Sequence, residues 1–419
     1  MKGNAYIPFM RSRGDGSTLN LDFTGGSLDS RVVLTRSAAT ATYINSSGYV
    51  ASAAVNEARF DYDPTTLAAK GLLIEGEGIS LVLGSNFAGG TTAPTYWSFA
   101  FGTGTSAAAA SSTLGNLDGA RAWSQTATSQ RPMISSTTIN VTSGTTYTAS
   151  MYVESVSGGL SNINIFLINA NTATLGTATY KNNGVTVSSG AVATVGRIEI
   201  TASCTVSGTI SLRCGIGCAS SATGSINFSR PQFEAGTSAS SFIPTTASQV
   251  TRNPDLALMT STNFSDWFSG GTTGTFFVDF YGGVRGLTST VRSVISTSDQ
   301  TTKHLHLQQA SAAGVLKVAD FGAANSVSTA NTITSGARTK GAFNFDGSTS
   351  TVNLCLNGST VATSTAIAFS VAPTWLVLGG TSTDGSTLTD LTTVLNGSIR
   401  QIKYYPTALT SAQLIAMTT

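Results

Sequence analysis

The chain has 419 residues, 41% of them hydrophobic and only 10% charged, with a formal net charge of +2; soluble proteins average about 25% charged. That length implies two or three domains, and the scarcity of Glu, Lys and Gln argues against long helices. The absence of clustered Lys and Arg excludes a nucleic-acid footprint, and no run approaches the roughly 18 apolar residues of a membrane span.

The first residues, "MKGNAYIPFMRSRGDG", have no apolar stretch of the signal-peptide kind, so synthesis in a cytoplasm without a signal peptide is expected. The "RGD" at Arg13 to Asp15 and the sequons at Asn140, Asn227, Asn263, Asn357 and Asn396 are short enough to arise by chance. Residues 1–85 read as a loop-rich module. "LNLDF", "RVVLT", "ATYIN" and "GLLIE" are short extended pieces, with turn chemistry in "TGGS", "NSSG" and "YDPTT" between them.

Residues 86–245 carry a strong strand signal. In "YTASMYVESV", Tyr147, Ala149, Met151 and Val153 share one face, and Thr148, Ser150, Tyr152 and Glu154 share the other. Such alternation predicts an antiparallel sandwich with the second face wet. "SINF" should close that sandwich, because Pro231 cannot donate to a ladder and marks a strand end or an edge. "EAGTSASSFIPTT" is then expected to leave as a surface segment pinned by Phe233, Phe242 and Ile243. Residues 246–419 form a second alternating series, from "TFFVDFYG" to "GSIRQIKYY", and again predict a sandwich. The chain closes on a short helix, with a capping box from Thr410 to Gln413.

The four cysteines share strand parity with apolar neighbours or lie across the strand from them. Ile210, Leu212, Cys214, Ile216 and Cys218 line one face, and Ile198, Ile200, Ala202 and Cys204 another. Buried thiols are the commoner reading, with a Cys204–Cys214 disulfide left open. Cys355 is assigned to the opposite face from Val352, Leu354 and Leu356. His304 and His306 could offer two metal ligands from one strand face, but solvent-facing strand residues are the commoner outcome. Two histidines leave little material for a Ser-His-Asp site, and the acids are scattered, so no catalytic residue and no metal site are assigned. Asp61 and Asp63 in "RFDYDP" are assigned as structural turn residues.

An ordered set of motifs supports a family resemblance. "F-T-x-G", "T-R-S-x-A-T", "N-E-x-R-F-D-Y-D-P" and "G-L-L-I-E" occur in that order and resemble the N-terminal module of tailed-bacteriophage structural proteins. An Arg-Thr-Asn-Leu run usually follows in that family; here the chain departs to "GEGISLVLGSNF". "VTSGTTYTASMYV" and "INFSRPQFEAGTSASSFIPTT" resemble the carbohydrate-binding-like jelly rolls of the same proteins. "FNFDGSTSTVNLCLNGSTVA" and "LNGSIRQIKYYPTALTSAQLIAM" resemble a concanavalin-like, laminin-G-like sandwich.

The resemblance implies an all-β protein in three parts: a virion-anchoring module at 1–85, a jelly roll at 86–245, and a concanavalin/laminin-G-like sandwich at 246–419. It implies a place on the virion exterior as a tail or fibre component, in several copies, with other virion proteins and a host-surface glycan as partners. A capsid decoration or head-fibre role is the alternative, and a polysaccharide depolymerase the third reading. Sugar recognition relies on aromatic faces, so Tyr152, Trp97, Trp123 and Trp267 are the candidate residues, Tyr152 first because its parity points away from the core. No cofactor is assigned. Calcium at a sheet rim would draw on Asp320, Asp346 and Asn357, although loop capping is the commoner use of such side chains.

Overall fold

The computed structural model describes residues 14–38, 40–89, 93–101, 105–111, 114, 121–128, 133–158, 166–188, 195–215, 223–268, 270–282, 291–298, 303–310, 314–320, 325–334, 336–367 and 373–419. Strand makes up 52% of the chain and helix 5%, as the shortage of helix formers predicts. Among the described residues no helix is long and apolar enough to cross a membrane.

Two antiparallel sheets form the larger sandwich. The first runs Ala362–Ser364, Thr351–Leu356, Arg338–Asp346, Thr273–Tyr281, Gly397–Tyr405, Ala69–Ile74 and Phe60–Tyr62, and Leu19–Asp22 also pairs with Gly397–Tyr405. The second runs Val33–Thr35, Leu256–Thr260, Trp375–Leu378, Arg292–Ser298, Lys303–Gln309, Val315–Asp320 and Ser326–Thr332. Between them lies one apolar core that includes Leu21, Phe23, Ile74, Trp267, Phe276, Phe343, Leu376 and Ile402.

This overturns the expectation of a separate module at residues 1–85. Four of its strands, Leu19–Asp22, Val33–Thr35, Phe60–Tyr62 and Ala69–Ile74, are built into the sheets of the sandwich at 246–419. The physical reason is size: strands of three to six residues bury little alone and need a sheet to pair with. Leu19, Leu21, Phe23, Leu72 and Ile74 are at most 1% exposed in the shared core. Gly71 shows how tightly the junction fits. Its φ is +94°, and a Cβ there would lie 2.2 Å from the Ile399 carbonyl oxygen, so only glycine suits the first position of "GLLIE".

The jelly roll also has two sheets. The larger runs Val185–Val187, Thr179–Asn182, Gly196–Val206, Thr146–Gly158, Thr223–Ala235, Arg121–Thr128 and Thr105–Ser111. The smaller runs Ile139–Val141, Gly208–Gly215, Met133–Ser136 and Trp97–Phe101, with Phe166–Ala170 on Gly208–Gly215. Tyr147, Ala149, Met151 and Val153 point into its core, as their parity predicts. The opposite face is not wet. Thr148, Ser150, Tyr152 and Glu154 are all at most 8% exposed.

The cover on that face is the segment expected to leave the domain. Thr148 Oγ1 donates to the Gly236 carbonyl at 2.9 Å. Ser238, Ser240, Phe242, Ile243 and Thr245 are buried, so the pinning residues hold a crossing between the sandwiches. The strand does not end at Phe228 but continues to Ala235. Beyond Phe228 it pairs on one side only, and its register shifts around Arg230 and Pro231. Pro231 thus occupies a bulge on an edge, where a missing N–H leaves no ladder position empty.

Cys204 and Cys214 are free, buried thiols, which rejects the disulfide. Cys355 packs with Phe277, Ala342 and Leu414 on the outer face of its sheet, as its parity predicts. Cys218 lies outside the described residues. The final helix, Ser411–Thr418, begins with the expected capping box. His306 is 0% exposed rather than solvent-facing, and Gln308 and the cross-strand Ser296 are buried beside it; the His304 side chain lies outside the described residues.

Candidate functional site

Three arginines and two carboxylates meet where the N-terminal strands enter the larger sandwich. Arg36 Nη1 is 2.8 Å from Asp255 Oδ1, and Arg59 Nη2 is 2.5 Å from Asp255 Oδ2. Arg59 Nη1 and Arg252 Nη1 lie 2.7 and 3.1 Å from Glu75 Oε2. Ser241 donates to both Glu75 oxygens, through its N–H at 2.8 Å and its hydroxyl at 2.6 Å. Burial pushes the Glu75 carboxyl up, but Arg252 and Arg59 overcome it and hold the group well below the usual carboxylate range.

Arg36, Arg59 and Glu75 come from "T-R-S", "N-E-x-R-F-D-Y-D-P" and "G-L-L-I-E" in turn. Asn56 of the second motif accepts the Arg36 N–H at 2.8 Å. Motifs far apart in sequence thus converge on one buried charge cluster. Its partners Arg252 and Asp255 come from the segment after the jelly roll, so the cluster ties all three sequence regions together.

Beside the cluster lies a cavity of about 340 Å³. Tyr43, Asp61 and Lys70 come to it from the N-terminal strands, Tyr152, Arg197 and Glu199 from the jelly roll, and Tyr281 and Ser398 from the larger sandwich. Ser240, Ser241 and Phe242 of the crossing segment complete the wall. The Arg197 guanidinium lies over the Tyr152 ring, 5.5 Å from its centroid, and donates to Ser150 Oγ at 2.9 Å. Asp61 accepts the Ile44 N–H at 2.9 Å. Burial pushes the Asp61 carboxyl up, against the opposing pull of Lys70 and that hydrogen bond. Tyrosines, serines and both signs of charge in one partly open cleft form a lining able to hydrogen-bond a polyhydroxylated ligand.

Of the three aromatic candidates whose side chains are described, Tyr152 alone lines this cavity. It is 7% exposed, so its parity is right but the expected open platform is a cavity wall. Trp97 is a core residue of the jelly roll, with Nε1 donating to the Gly84 carbonyl at 3.1 Å and its ring edge-on to Phe87. Trp267 packs among Phe264, Phe268, Phe276 and Tyr404. Trp123 stands on Arg121–Thr128, and its side chain lies outside the described residues. Asp63 accepts the Thr65 and Thr66 N–H groups, the turn role expected of it, whereas Asp61 faces the cavity.

The proposed calcium donors have structural partners. Asp346 accepts from the Ser348 N–H and hydroxyl, and Asn357 Oδ1 accepts the Lys340 N–H. The Asp320 side chain lies outside the described residues. Among the described residues, no three His, Cys, Asp or Glu side chains are grouped to hold a metal ion. Sequence reasoning missed Arg197, Glu199, Tyr43 and Tyr281. Glu199 and Arg197 share a strand face in "RIEI", a signal that was present but had no visible partner.

No protein-family model matches the chain, and no curated protein matches it. Parts of it are similar to solved structures. The CBM40 module of Ruminococcus gnavus IT-sialidase, bound to α2,3-sialyllactose, is 21% identical over 35% of this chain and 82% of that one, with a TM-score of 0.30. A heptameric SAP-like pentraxin from Limulus polyphemus is 12% identical over 35% of this chain and 70% of that one, also at 0.30. NanB sialidase from Streptococcus pneumoniae is 14% identical over 38% of this chain and 26% of that one, at 0.32. Likeness at that level says nothing about the ligand of this chain.

Proposed function

We propose that the chain is a carbohydrate-binding structural protein on the exterior of a tailed-phage particle, and that it holds host-surface glycan in the cavity between its two sandwiches. The observation that carries the binding half is the cavity: about 340 Å³, walled by tyrosines, serines and charged side chains from all three regions. Sugar ligands need such a mixture of ring faces and paired donors and acceptors. The virion half is supported by the ordered motifs, which supply Arg36, Arg59 and Glu75 to the buried cluster. Binding, rather than bond cleavage, is the proposed activity, with other virion proteins as neighbours and several copies per particle.

A small cavity offers modest single-site affinity, because few contacts offset the lost translational freedom. Clustering raises avidity by about 10²–10⁴. Purified protein should therefore bind host cells weakly alone and strongly on beads, with soluble host polysaccharide competing. Arg197→Ala should weaken bead binding, and the exposed Glu77→Gln should not. If beads ignore host cells and particles lacking the protein adsorb normally, the attachment reading fails and a capsid decoration role replaces it. Release of sugar from host polysaccharide by the purified protein would instead establish the depolymerase reading.

A further inference from the structure

Resting on that glycan reading, we propose that the cavity selects a sugar unit bearing a free amine, a hexosamine-type residue, over its acetylated and acidic counterparts. Most charges that line the cavity are already matched. Glu75 is held by Arg59 and Arg252. Asp63 faces Lys70 at 3.7 Å. Arg197 is turned onto Tyr152 and Ser150.

Two carboxylates are not matched. Glu199 is 7% exposed, and its side chain accepts one long hydrogen bond, from the Ala239 N–H to Oε2 at 3.3 Å. Among the described residues Asp61 accepts only the Ile44 N–H, through Oδ1 at 2.9 Å. Neither has an ion-pair partner among the described residues. They stand on strands of different sheets, Phe60–Tyr62 and Gly196–Val206. A carboxylate as buried as Glu199 is unfavourable without a contact ion pair, and the more open Asp61 feels Lys70 and Arg59 only at a distance. An ammonium in the cavity would satisfy that need through charge-assisted hydrogen bonds.

The sugar ring supplies the rest of the recognition. Its hydroxyls both donate and accept, and so suit a wall where Arg197 donates beside Tyr43, Tyr281 and the serines. An acidic sugar would meet Asp61 and Glu199 while Lys70 and Arg197 are already engaged with carboxylates of the lining, and an acetylated amine would bring no charge to either. Burial raises the Asp61 carboxyl even against the pull of Lys70 and Arg59.

The test is calorimetric titration of the full chain with three tetrasaccharides: β1,4-linked glucosamine, its N-acetylated form, and a galacturonate. The free-amine form should bind about tenfold or more tightly than the acetylated one, the equivalent of one charge-assisted contact. The galacturonate should bind most weakly, and added salt should narrow the differences. Glu199→Gln should bring amine binding down to the acetylated level, and Glu77→Gln, with the same change in net charge, should not. Asp61→Asn keeps an acceptor for the Ile44 N–H and serves if Glu199→Gln does not fold. Equal or tighter binding of the acetylated or acidic sugar would overturn the amine inference and leave the glycan reading standing. Failure of all three sugars, with bead-borne protein still capturing host cells, would also overturn it. Failure of all three together with beads that ignore cells would overturn both.

Discussion

Replacing Glu75 with Gln tests whether the buried charge cluster holds the N-terminal strands to the larger sandwich. Gln keeps the shape and can still accept from Ser241, so the change removes charge rather than volume. Asp255 then remains as the carboxylate of the cluster, paired with Arg36 and Arg59, and Arg59 and Arg252 each lose their contact with the Glu75 charge. Breaking one partner out of a buried ion pair costs about 3–5 kcal/mol. For a body of this size, 1 kcal/mol shifts the melting temperature by about 2–4 °C, so a fall on the order of 10 °C is expected. Scanning calorimetry beside the exposed Glu77→Gln, which should melt like the parent, reads the effect.

The sign with pH follows from the carboxyl. Glu75 is held below its ordinary value in the folded chain, so its stabilisation is complete above about pH 4.3. It is lost as pH falls toward the folded value. The gap between parent and Glu75→Gln should therefore be widest near neutrality and shrink below about pH 4. A variant that melts with the parent, or a gap that does not change with acid, would refute the assigned role.

Further predictions follow from the same contacts. Proteolytic nicking at the exposed residues 246–249 should not free a C-terminal fragment, because strands from residues 19–74 pair within both of its sheets; separation of the fragments on size exclusion without denaturant would contradict that pairing. Gly71→Ala should destabilise by more than about 1 kcal/mol in a melt, since its Cβ would collide with the Ile399 carbonyl. Cys214→Ser should cost about 1–3 kcal/mol by burying a hydroxyl. Burial raises the Cys214 thiol pKa well above its ordinary value, so alkylation should wait for unfolding, and a fast-reacting Cys214 in native protein would place it elsewhere.

The alternation in the chain made the strands legible, and with them the inward set Tyr147, Ala149, Met151 and Val153. It could not say which strands pair. A three-residue strand such as Val33–Thr35 has no local feature that names Leu256–Thr260 as its partner, and the two meet only after the jelly roll has folded between them. Nor does alternation say that the second face is dry. Thr148, Ser150 and Glu154 are polar and read as solvent-facing, yet their face is roofed by a Ser-rich crossing whose composition reads as linker. Glu154 is matched there by Arg230, which lies in the same bulge as Pro231. The arginine cluster was illegible for a similar reason: Arg is rarely buried unless paired, and a carboxylate partner lies as far as 219 positions away.

The cavity and the charge cluster share Glu75 and Ser241, and this decides which substitutions can speak about binding. Asp61 is the informative position because it lines the cavity but forms no ion pair in the cluster. Its carboxyl is raised by burial, so the favourable contribution of its protonated form is complete below about pH 3.9 and lost as pH rises through the raised value. Asn imitates that protonated form and still accepts from the Ile44 N–H. Asp61→Asn should therefore melt higher than the parent at pH 7, with the advantage gone below about pH 4. If the amine reading holds, the same change should weaken glucosamine binding at pH 7. A variant that gains stability and loses ligand identifies a carboxylate kept charged against its folding preference, which a purely structural turn residue would not show. A variant that loses both would return Asp61 to the scaffold and leave Glu199 as the cavity carboxylate without a contact ion pair among the described residues.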